Sequence, residues 1–344
     1  MSRPRLSRKL WILIALALLL AAAAAAFIWL AAGQLVSPAR RPLQAYHHKW
    51  LANPAAHGMK LERFSALGGK VPCLVATPDP TGSLGERGRK LREQLTASSH
   101  ELISNGATRG TLVLLHGRRG RKEDLLPVAE RFCAAGFRCL MPDLPAHGES
   151  PLKTGTFGTS PMEAGLAAEV LREASKRFQF NSQPAGLWGM SMGGAFAVRA
   201  AAKGGATWKA LVVSSFDSLG SVIDGQLRWS GVAGGLIREA VATVATWRGG
   251  LSLREAHPVE WARNVRVPTL VAHGKVDTLI PLSAGRRLFE ALGSQQKEFV
   301  EVSAGDHHDV LVTPMPLYST MAAWFITHLV ESNPSDSDLA PKSN

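Results

Sequence analysis

Short, mostly apolar runs alternate with amphipathic segments along residues 111–302, and this alternation predicts strands separated by helices. Uninterrupted apolar runs of this length are typical of buried strands in a parallel sheet. The predicted strands are 111–115, 137–142, 185–188, 210–214, 267–272 and 299–302, and the predicted helices between them are 123–135, 161–178 and 192–203. The order implies a mostly parallel sheet with right-handed crossovers and helices on both faces.

The segments around this alternation have a different character. Strand pattern begins near Leu61 and returns at 71–77. Residues 78–110 are polar and contain glycine, which indicates an exposed insertion with a helix over 88–103. Residues 215–258 interrupt the alternation with scattered apolar side chains.

Leu10 to Ala32 carries no charged or polar side chain. As a helix this run would reach about 34 Å, enough to cross the hydrocarbon layer of a membrane. A cleaved signal peptide usually has a shorter apolar core, so an uncleaved anchor is the favoured interpretation and a removed signal is the alternative. The expected divisions are a basic N-terminus (1–9), a membrane helix (10–32), a linker (33–60), a large α/β domain (61–330) and a flexible tail (331–344).

The charges that flank this run predict its orientation. The N-terminal side carries Arg3, Arg5, Arg8 and Lys9, and basic residues tend to stay in the cytoplasm. The large α/β domain would then lie outside the cytoplasm, which in a bacterium is the periplasmic side of the inner membrane. Arg40, Arg41 and Lys49 on the other flank oppose this assignment.

The composition restricts the class of protein but does not by itself indicate a function. The chain has 344 residues, is 46% hydrophobic and has a net charge of +12, of which the first nine residues supply four. The remaining +8 fits either an ordinary arginine-rich surface or a domain held near anionic lipid or acidic substrates. The basic residues are scattered rather than interleaved with aromatics, so nucleic-acid binding is not indicated.

The three cysteines are expected to be buried thiols, although a bridge between Cys133 and Cys139 is possible in an oxidising compartment. The oligomeric state is left open.

Residues 189–193 read Gly-Met-Ser-Met-Gly and lie where a predicted strand meets a predicted helix. A serine on such a sharp turn is held in an unfavourable backbone conformation, and its neighbours must be small. The turn lifts the hydroxyl of Ser191 out of the sheet and places the first free amides of the helix beside it.

Three further landmarks stand at the ends of predicted strands. They are His116-Gly117, then His273-Gly274 with Asp277, then 305–309 with His307 and His308. Together with the serine turn, this order resembles the α/β-hydrolase superfamily, whose triad runs serine, acid, histidine along the chain. The resemblance covers residues 60–330 and implies an α/β-hydrolase fold.

The resemblance also implies roles. Ser191 would be the nucleophile, His307 the base with His308 as its neighbour, and Asp277 the acid, with Asp217 as the alternative that some relatives use. The backbone amides of Met192 and Arg118 would form the oxyanion hole. Asp306 and Asp309 are too close in sequence to His307 to orient it, so they are expected to be solvated.

Two regions are candidates for contact with substrate. Arg118, Arg119, Arg121 and Lys122 cluster on one loop, which is either solvated or binds a substrate carboxylate or phosphate, with Arg119 as the candidate contact. Members of the superfamily commonly carry a helical cap where this chain has 215–258. Its Trp229 and Leu236 would either pack on the sheet or form an apolar roof over the serine. The loop at 143–150 resembles the superfamily pattern, with Ala146 in a position that often holds glycine, and is expected to be architectural.

The predicted function is a membrane-anchored serine hydrolase that cleaves carboxylic esters or thioesters through an acyl-enzyme, on a small-molecule or lipid-like acyl substrate. A peptidase or amidase on the same triad is the alternative within enzymes. A non-catalytic binding module displayed at the membrane is the alternative from another class. No metal-ligand cluster, phosphate-binding loop or dinucleotide signature is present in the sequence, so no cofactor is expected.

Overall fold

The computed structural model of the chain describes residues 7–204, 207–226, 233–307, 309–310 and 316–330. Within them, eight strands form a sheet in the order β1-β2-β4-β3-β5-β6-β7-β8. β2 is antiparallel to β1 and β4, and the other neighbouring pairs are parallel. The strands are β1 Met59–Ala66, β2 Val71–Pro78, β3 Gly110–Leu115, β4 Phe137–Pro142, β5 Ala185–Met190, β6 Ala210–Ser214, β7 Thr269–Gly274 and β8 Lys297–Val302.

Helices cover both faces of this sheet, as the alternating pattern predicts. The α-helices of the described residues are α1 Arg8–Val36, α2 Ala45–Ala52, α3 Glu86–Ala97, α4 Leu126–Ala134, α5 Pro161–Phe178, α6 Met192–Lys203, α7 Leu219–Gln226, α8 Ala233–Gly249, α9 Pro258–Ala262, α10 Leu282–Ala291 and α11 Leu317–Val330. The predicted bounds of α5 and α6 match the structure. The predicted helix 123–135 instead begins as a short 3₁₀ helix and becomes α4 at Leu126, because Pro127 suits a first helical turn.

The core lies in two layers, one on each face of the sheet. Leu187 and Phe196 belong to one layer, and Leu112 and Phe325 belong to the other. Every residue of β3 is buried, which explains why that strand reads as a continuous apolar run. Cys73, Cys133 and Cys139 are buried free thiols within these layers.

Helix α1 is longer than the predicted membrane segment and has two different parts. It has 29 residues and begins at Arg8, where the Ser7 side chain accepts a hydrogen bond from the Leu10 amide. By length and composition it could cross a membrane. Most of its side chains are exposed, but Ala32, Gly33 and Val36 near its end are buried against the rest of the protein. The helix therefore continues past the apolar run and packs on the catalytic domain.

The expected linker, 33–60, is folded onto the domain rather than acting as a spacer. His47 and Trp50 of α2 are buried, and the His47 ring lies 2.9 Å from the Asp124 carboxylate. Arg41 also pairs with Asp124, at 2.6 Å. His47 and Trp50 are three residues apart, so they lie on the same face of α2 and both point into the domain. The sequence analysis treated them as linker residues.

Candidate active site

Ser191 stands between β5 and α6 with φ 54° and ψ −122°. Such a positive φ is strained for any residue except glycine and is retained where the surroundings require it. The two flanking glycines are explained by close backbone contacts. A Cβ on Gly193 would collide with the carbonyl group of Leu115, and one on Gly189 would collide with the carbonyl group of Gly193. The turn therefore needs the Gly-x-Ser-x-Gly pattern.

Ser191, His307 and Asp277 form one hydrogen-bonded chain. His307 Nε2 lies 3.1 Å from Ser191 Oγ, and His307 Nδ1 lies 2.9 Å from Asp277 Oδ2. Because an ionised carboxylate only accepts hydrogen bonds, Nδ1 carries the proton and Nε2 is left to accept from the serine hydroxyl. The structure thus brings together the three residues that the sequence singled out.

The carboxylate of Asp277 is held on both of its oxygens. Oδ1 accepts hydrogen bonds from the amides of Leu279 and Ile280, at 2.9 and 2.7 Å, while Oδ2 faces His307. Asp217, the alternative acid, instead pairs with Arg287 at 2.7 Å and accepts from the Ser221 hydroxyl at 2.6 Å. Of the two candidate acids, only Asp277 contacts His307.

Asp306 was expected to be solvated, but its carboxylate is hydrogen-bonded to another loop of the site. Its Oδ1 accepts hydrogen bonds from the amide of Thr278 at 2.9 Å and from the Thr278 hydroxyl at 3.2 Å. The amide of Asp306 in turn donates to Asp309. These bonds join the loop of Asp277 to the loop of His307. His308 lies outside the described residues.

The histidines at the ends of β3 and β7 are buried and structural. His116 Nδ1 donates to the Gly117 carbonyl at 2.8 Å, and its Nε2 accepts from the Leu144 amide at 3.0 Å. His273 Nε2 lies 2.9 Å from the Ile280 carbonyl. Burial lowers the pKa of both rings, so each is neutral at pH 7. They fix the loops that carry the site.

The two amides expected to hold an oxyanion lie near the serine. Met192 is the first residue of α6, where the N–H group has no partner within the helix. Arg118 and Met192 both line the cavity that contains Ser191. A Cβ on Gly117 would be 3.5 Å from the Cβ of Ser191, so the chain preceding Arg118 passes directly beside the nucleophile.

The four basic residues of this loop have two different environments: Arg121 and Lys122 form buried ion pairs, whereas Arg118 and Arg119 line the cavity. Both interpretations of the sequence had treated the loop as a unit. The Lys122 ammonium is buried and lies 2.7 Å from the carboxylates of both Asp143 and Glu149. Arg121 is buried as well, 2.7 Å from Glu123. Neither side chain is solvated or available to a substrate. Their pairing with Asp143 and Glu149 gives the 143–150 loop its architectural role.

Arg118 and Arg119 remain at the cavity, and both contact helix α1. Arg118 donates to the Gln34 carbonyl at 2.6 Å, and Arg119 donates to the Gln34 side-chain oxygen at 3.1 Å. A contact between the catalytic loop and the predicted membrane helix has no local signal in the sequence.

The cavity above Ser191 has a volume of about 460 Å³ and is mainly apolar. Its walls come from α1, from the loop before α5, from α7 and α8, and from the loop after β7. They include Phe27, Ala31, Gln34, Leu35, Phe157, Phe216, Leu219, Val222, Ile223, Val241, Leu279 and Ile280. Of the two cap residues proposed from the sequence, Leu236 is 79% exposed and does not line this cavity. Leu236 points away because α8 uses its opposite side, with Val241, to face the site. Trp229 lies outside the described residues.

The sheet order and the serine turn define an α/β-hydrolase. Comparisons with known proteins agree: the model of the serine aminopeptidase family, S33, matches residues 106–216, and the model of the prolyl oligopeptidase family matches residues 167–331. The chain belongs to the α/β-hydrolase superfamily and is a hydrolase of that type.

Individual relatives are distant. An uncharacterised 31.7 kDa protein from the traX-finO intergenic region of Escherichia coli is 24% identical in an alignment of 260 residues that covers 63% of this chain and 91% of that protein. The Pyrococcus furiosus esterase Pf2001 superposes with a TM-score of 0.61 at 16% identity, over 86% of this chain and 98% of the esterase. A 2,6-dihydroxy-pseudo-oxynicotine hydrolase superposes with a TM-score of 0.55 at 18% identity, over 83% of this chain and 72% of that hydrolase. At these identities the structural matches establish the fold.

Proposed function

We propose that this protein is a membrane-anchored serine hydrolase that cleaves carboxylic esters or thioesters through an acyl-enzyme. The observation that carries the proposal is the hydrogen-bonded chain Ser191–His307–Asp277, which opens on an apolar cavity. A cavity of this size and character suits an acyl chain.

In the first half of the reaction, Ser191 Oγ attacks the carbonyl carbon while His307 Nε2 takes the hydroxyl proton. Asp277 keeps the imidazole in the tautomer that can accept this proton and stabilises the cation that forms. The amides of Met192 and Arg118 donate to the carbonyl oxygen as it becomes negative. Each such donor contributes roughly 3 to 4 kcal/mol in well-studied sites. His307 then gives the proton to the leaving alcohol or thiol, and the carbonyl–heteroatom bond breaks.

In the second half, water attacks the acyl-enzyme. His307 takes a proton from the water as its oxygen bonds to the acyl carbon, and the bond to Ser191 Oγ breaks. The proton returns to Ser191, and a carboxylic acid leaves. No metal or cofactor takes part in either half.

A peptidase or amidase is the second candidate, favoured by the two family models that match the chain. An aminopeptidase needs a carboxylate to bind the substrate's ammonium group. The described residues that line the cavity include Arg118, Arg119 and His307 but no aspartate or glutamate. This charge pattern supports the ester or thioester assignment over cleavage at a free amino terminus.

The proposed location is a single-pass anchor with the N-terminus in the cytoplasm and the catalytic domain outside it. The basic residues before the span support this orientation. Two of the opposing positive charges are engaged by the domain itself, since Arg40 donates to the Leu152 carbonyl at 2.9 Å and Arg41 pairs with Asp124.

The test is hydrolysis by the full chain, in detergent, of p-nitrophenyl esters from acetate to palmitate, alongside Ser191→Ala. We expect turnover that Ser191→Ala abolishes, and a chain-length optimum that reports the size of the cavity. Aminoacyl p-nitroanilides in the same panel would reveal the peptidase. Failure of folded wild-type protein to cleave any substrate or to react with a fluorophosphonate probe would favour the non-catalytic binding module.

A further inference from the structure

One face of α1 forms part of the cavity wall. Phe27, Ala31, Gln34 and Leu35 all line the cavity that contains Ser191 and His307. Residues spaced by three and four lie on the same side of a helix, so the last third of α1 turns a continuous face toward the nucleophile. The predicted anchor is therefore also part of the site.

Specific contacts hold this part of α1 in place. Arg248 at the end of α8 donates to the Trp29 carbonyl at 2.7 Å, and its guanidinium lies 4.3 Å from the centre of the Trp29 ring. The Val36 carbonyl accepts a hydrogen bond from the Gly155 amide at 2.8 Å. With the bonds from Arg118 and Arg119 to Gln34, these contacts attach the last third of α1 to three separate segments of the domain.

The aromatic residues of α1 indicate where a bilayer would lie. Trp11 and Trp29 are 59% and 47% exposed and are separated by eighteen residues, which is about 27 Å along a helix. This length is close to the roughly 30 Å of a bilayer's hydrocarbon layer, and tryptophan prefers both of its boundaries. Trp247 lies beside Trp29, with ring centres 5.7 Å apart, and is 75% exposed. Two tryptophans and Arg248 thus mark the boundary on the side of the catalytic domain.

This placement puts the cavity at the boundary between hydrocarbon and headgroups. From Phe27 to Leu35 the helix rises about 12 Å, from just inside the hydrocarbon edge to the interfacial layer. In this placement the cavity would have a hydrocarbon end, lined by Phe27 and Ala31, and an aqueous end, lined by Gln34 with Arg118 and Arg119. Acyl chains would lie at the first end and a polar headgroup at the second.

We propose that α1 is a wall of the active site as well as the anchor, and that the site hydrolyses an acyl ester of a bilayer glycerolipid that enters beside Phe27. This inference rests on the proposed function of Ser191. The lipid's acyl chain enters the cavity between α1, α7 and α8, without leaving the apolar phase. Its ester carbonyl reaches Ser191 at the depth where glycerolipid esters lie.

The experiment compares two ester substrates on the same full-length protein in vesicles of phosphatidylethanolamine and phosphatidylglycerol. One substrate is a phospholipid with a fluorogenic acyl ester incorporated in the vesicle, and the other is water-soluble p-nitrophenyl acetate. The readout is the ratio of the two rates. Ala31→Trp fills the helix face toward the cavity, and Leu30→Trp places the same side chain one residue away, where Leu30 is exposed and does not line the cavity.

We expect wild-type protein to cleave both substrates, Ala31→Trp to lower the lipid-to-acetate ratio at least 10-fold, and Leu30→Trp to change it less than 2-fold. Phe27→Asn, a smaller and polar side chain, should lower the ratio as well, which separates the effect from steric misfolding in Ala31→Trp. Equal ratios in the Ala31 and Leu30 variants, or wild-type cleavage of acetate alone, would overturn the inference and leave the proposed function intact. Cleavage of neither substrate would instead refute the proposed function.

Discussion

At the scale of single residues, Asp277 shows how the backbone around a side chain selects its chemistry. Two amides occupy Oδ1, so only Oδ2 is presented to His307. Asp217 has the same carboxylate but faces Arg287. The sequence placed both residues after strands and favoured Asp277. The two aspartates differ in their hydrogen-bond partners, and only Asp277 is placed to orient His307.

Asp277→Asn should lower kcat for p-nitrophenyl esters by roughly 10³- to 10⁴-fold. The amides of Leu279 and Ile280 would keep the asparagine oxygen on their side, which turns the NH₂ group toward His307 Nδ1. The imidazole would then carry its proton on Nε2 and could not accept one from Ser191. Steady-state kinetics measure the change.

The matched control is Asp217→Asn, which removes the ion pair between the buried Asp217 carboxylate and the half-exposed Arg287 and should change kcat less than about 3-fold. A similar loss of activity in both variants would show that the effect is structural rather than a change of imidazole tautomer.

At the scale of elements, α1 and α2 are where the structure adds most to the sequence. The apolar run of α1 predicts a membrane span, but the contacts of Gln34 and Trp29 with the rest of the domain are long-range and leave no periodic pattern. The sequence analysis did not predict α2 within 33–60, because this helix is short and buries only His47 and Trp50. By contrast α5, which has a Ser160 cap and one buried face, and α6, which ends at Gly204, were predicted to the residue.

Because α1 lines the cavity, we expect it to remain in the mature protein with the catalytic domain outside the cytoplasm. Alkaline phosphatase fused after Asn344 and expressed in a bacterium should be active, and immunoblotting should give the mass of the unprocessed chain. An active fusion shortened by about thirty residues would identify a removed signal, and an inactive phosphatase would reverse the orientation.

At the scale of the whole molecule, two buried histidines make stability depend on pH. The rings of His116 and His147 are 5.3 Å apart at the carboxyl edge of the sheet. Burial lowers the pKa of His147 to about 3, against an ordinary value of about 6.5 in the unfolded chain. Between these values the unfolded chain binds more protons, so the free energy of unfolding decreases as the pH falls from about 6.5 toward 3.

His147 alone should remove about 2 kcal/mol of stability at pH 5 relative to pH 7.5. Thermal unfolding followed at both pH values should therefore show a smaller drop in His147→Gln than in the wild-type protein. His48→Gln, at an exposed position, should leave the drop unchanged. The idea fails if the His147 variant loses as much stability on acidification as the wild type.

The sequence by itself determined the sheet, the serine turn and the identity of the hydrogen-bonded residues. Buried parallel strands are mostly apolar, and the turn at Ser191 admits only glycine at two positions. Tertiary structure alone decided the partner of each charged side chain and the walls of the cavity. Lys122 and Arg118 are four residues apart and both positively charged, yet one is buried among carboxylates and the other borders the site. Such outcomes depend on groups brought together from distant parts of the chain, and local patterns do not encode them.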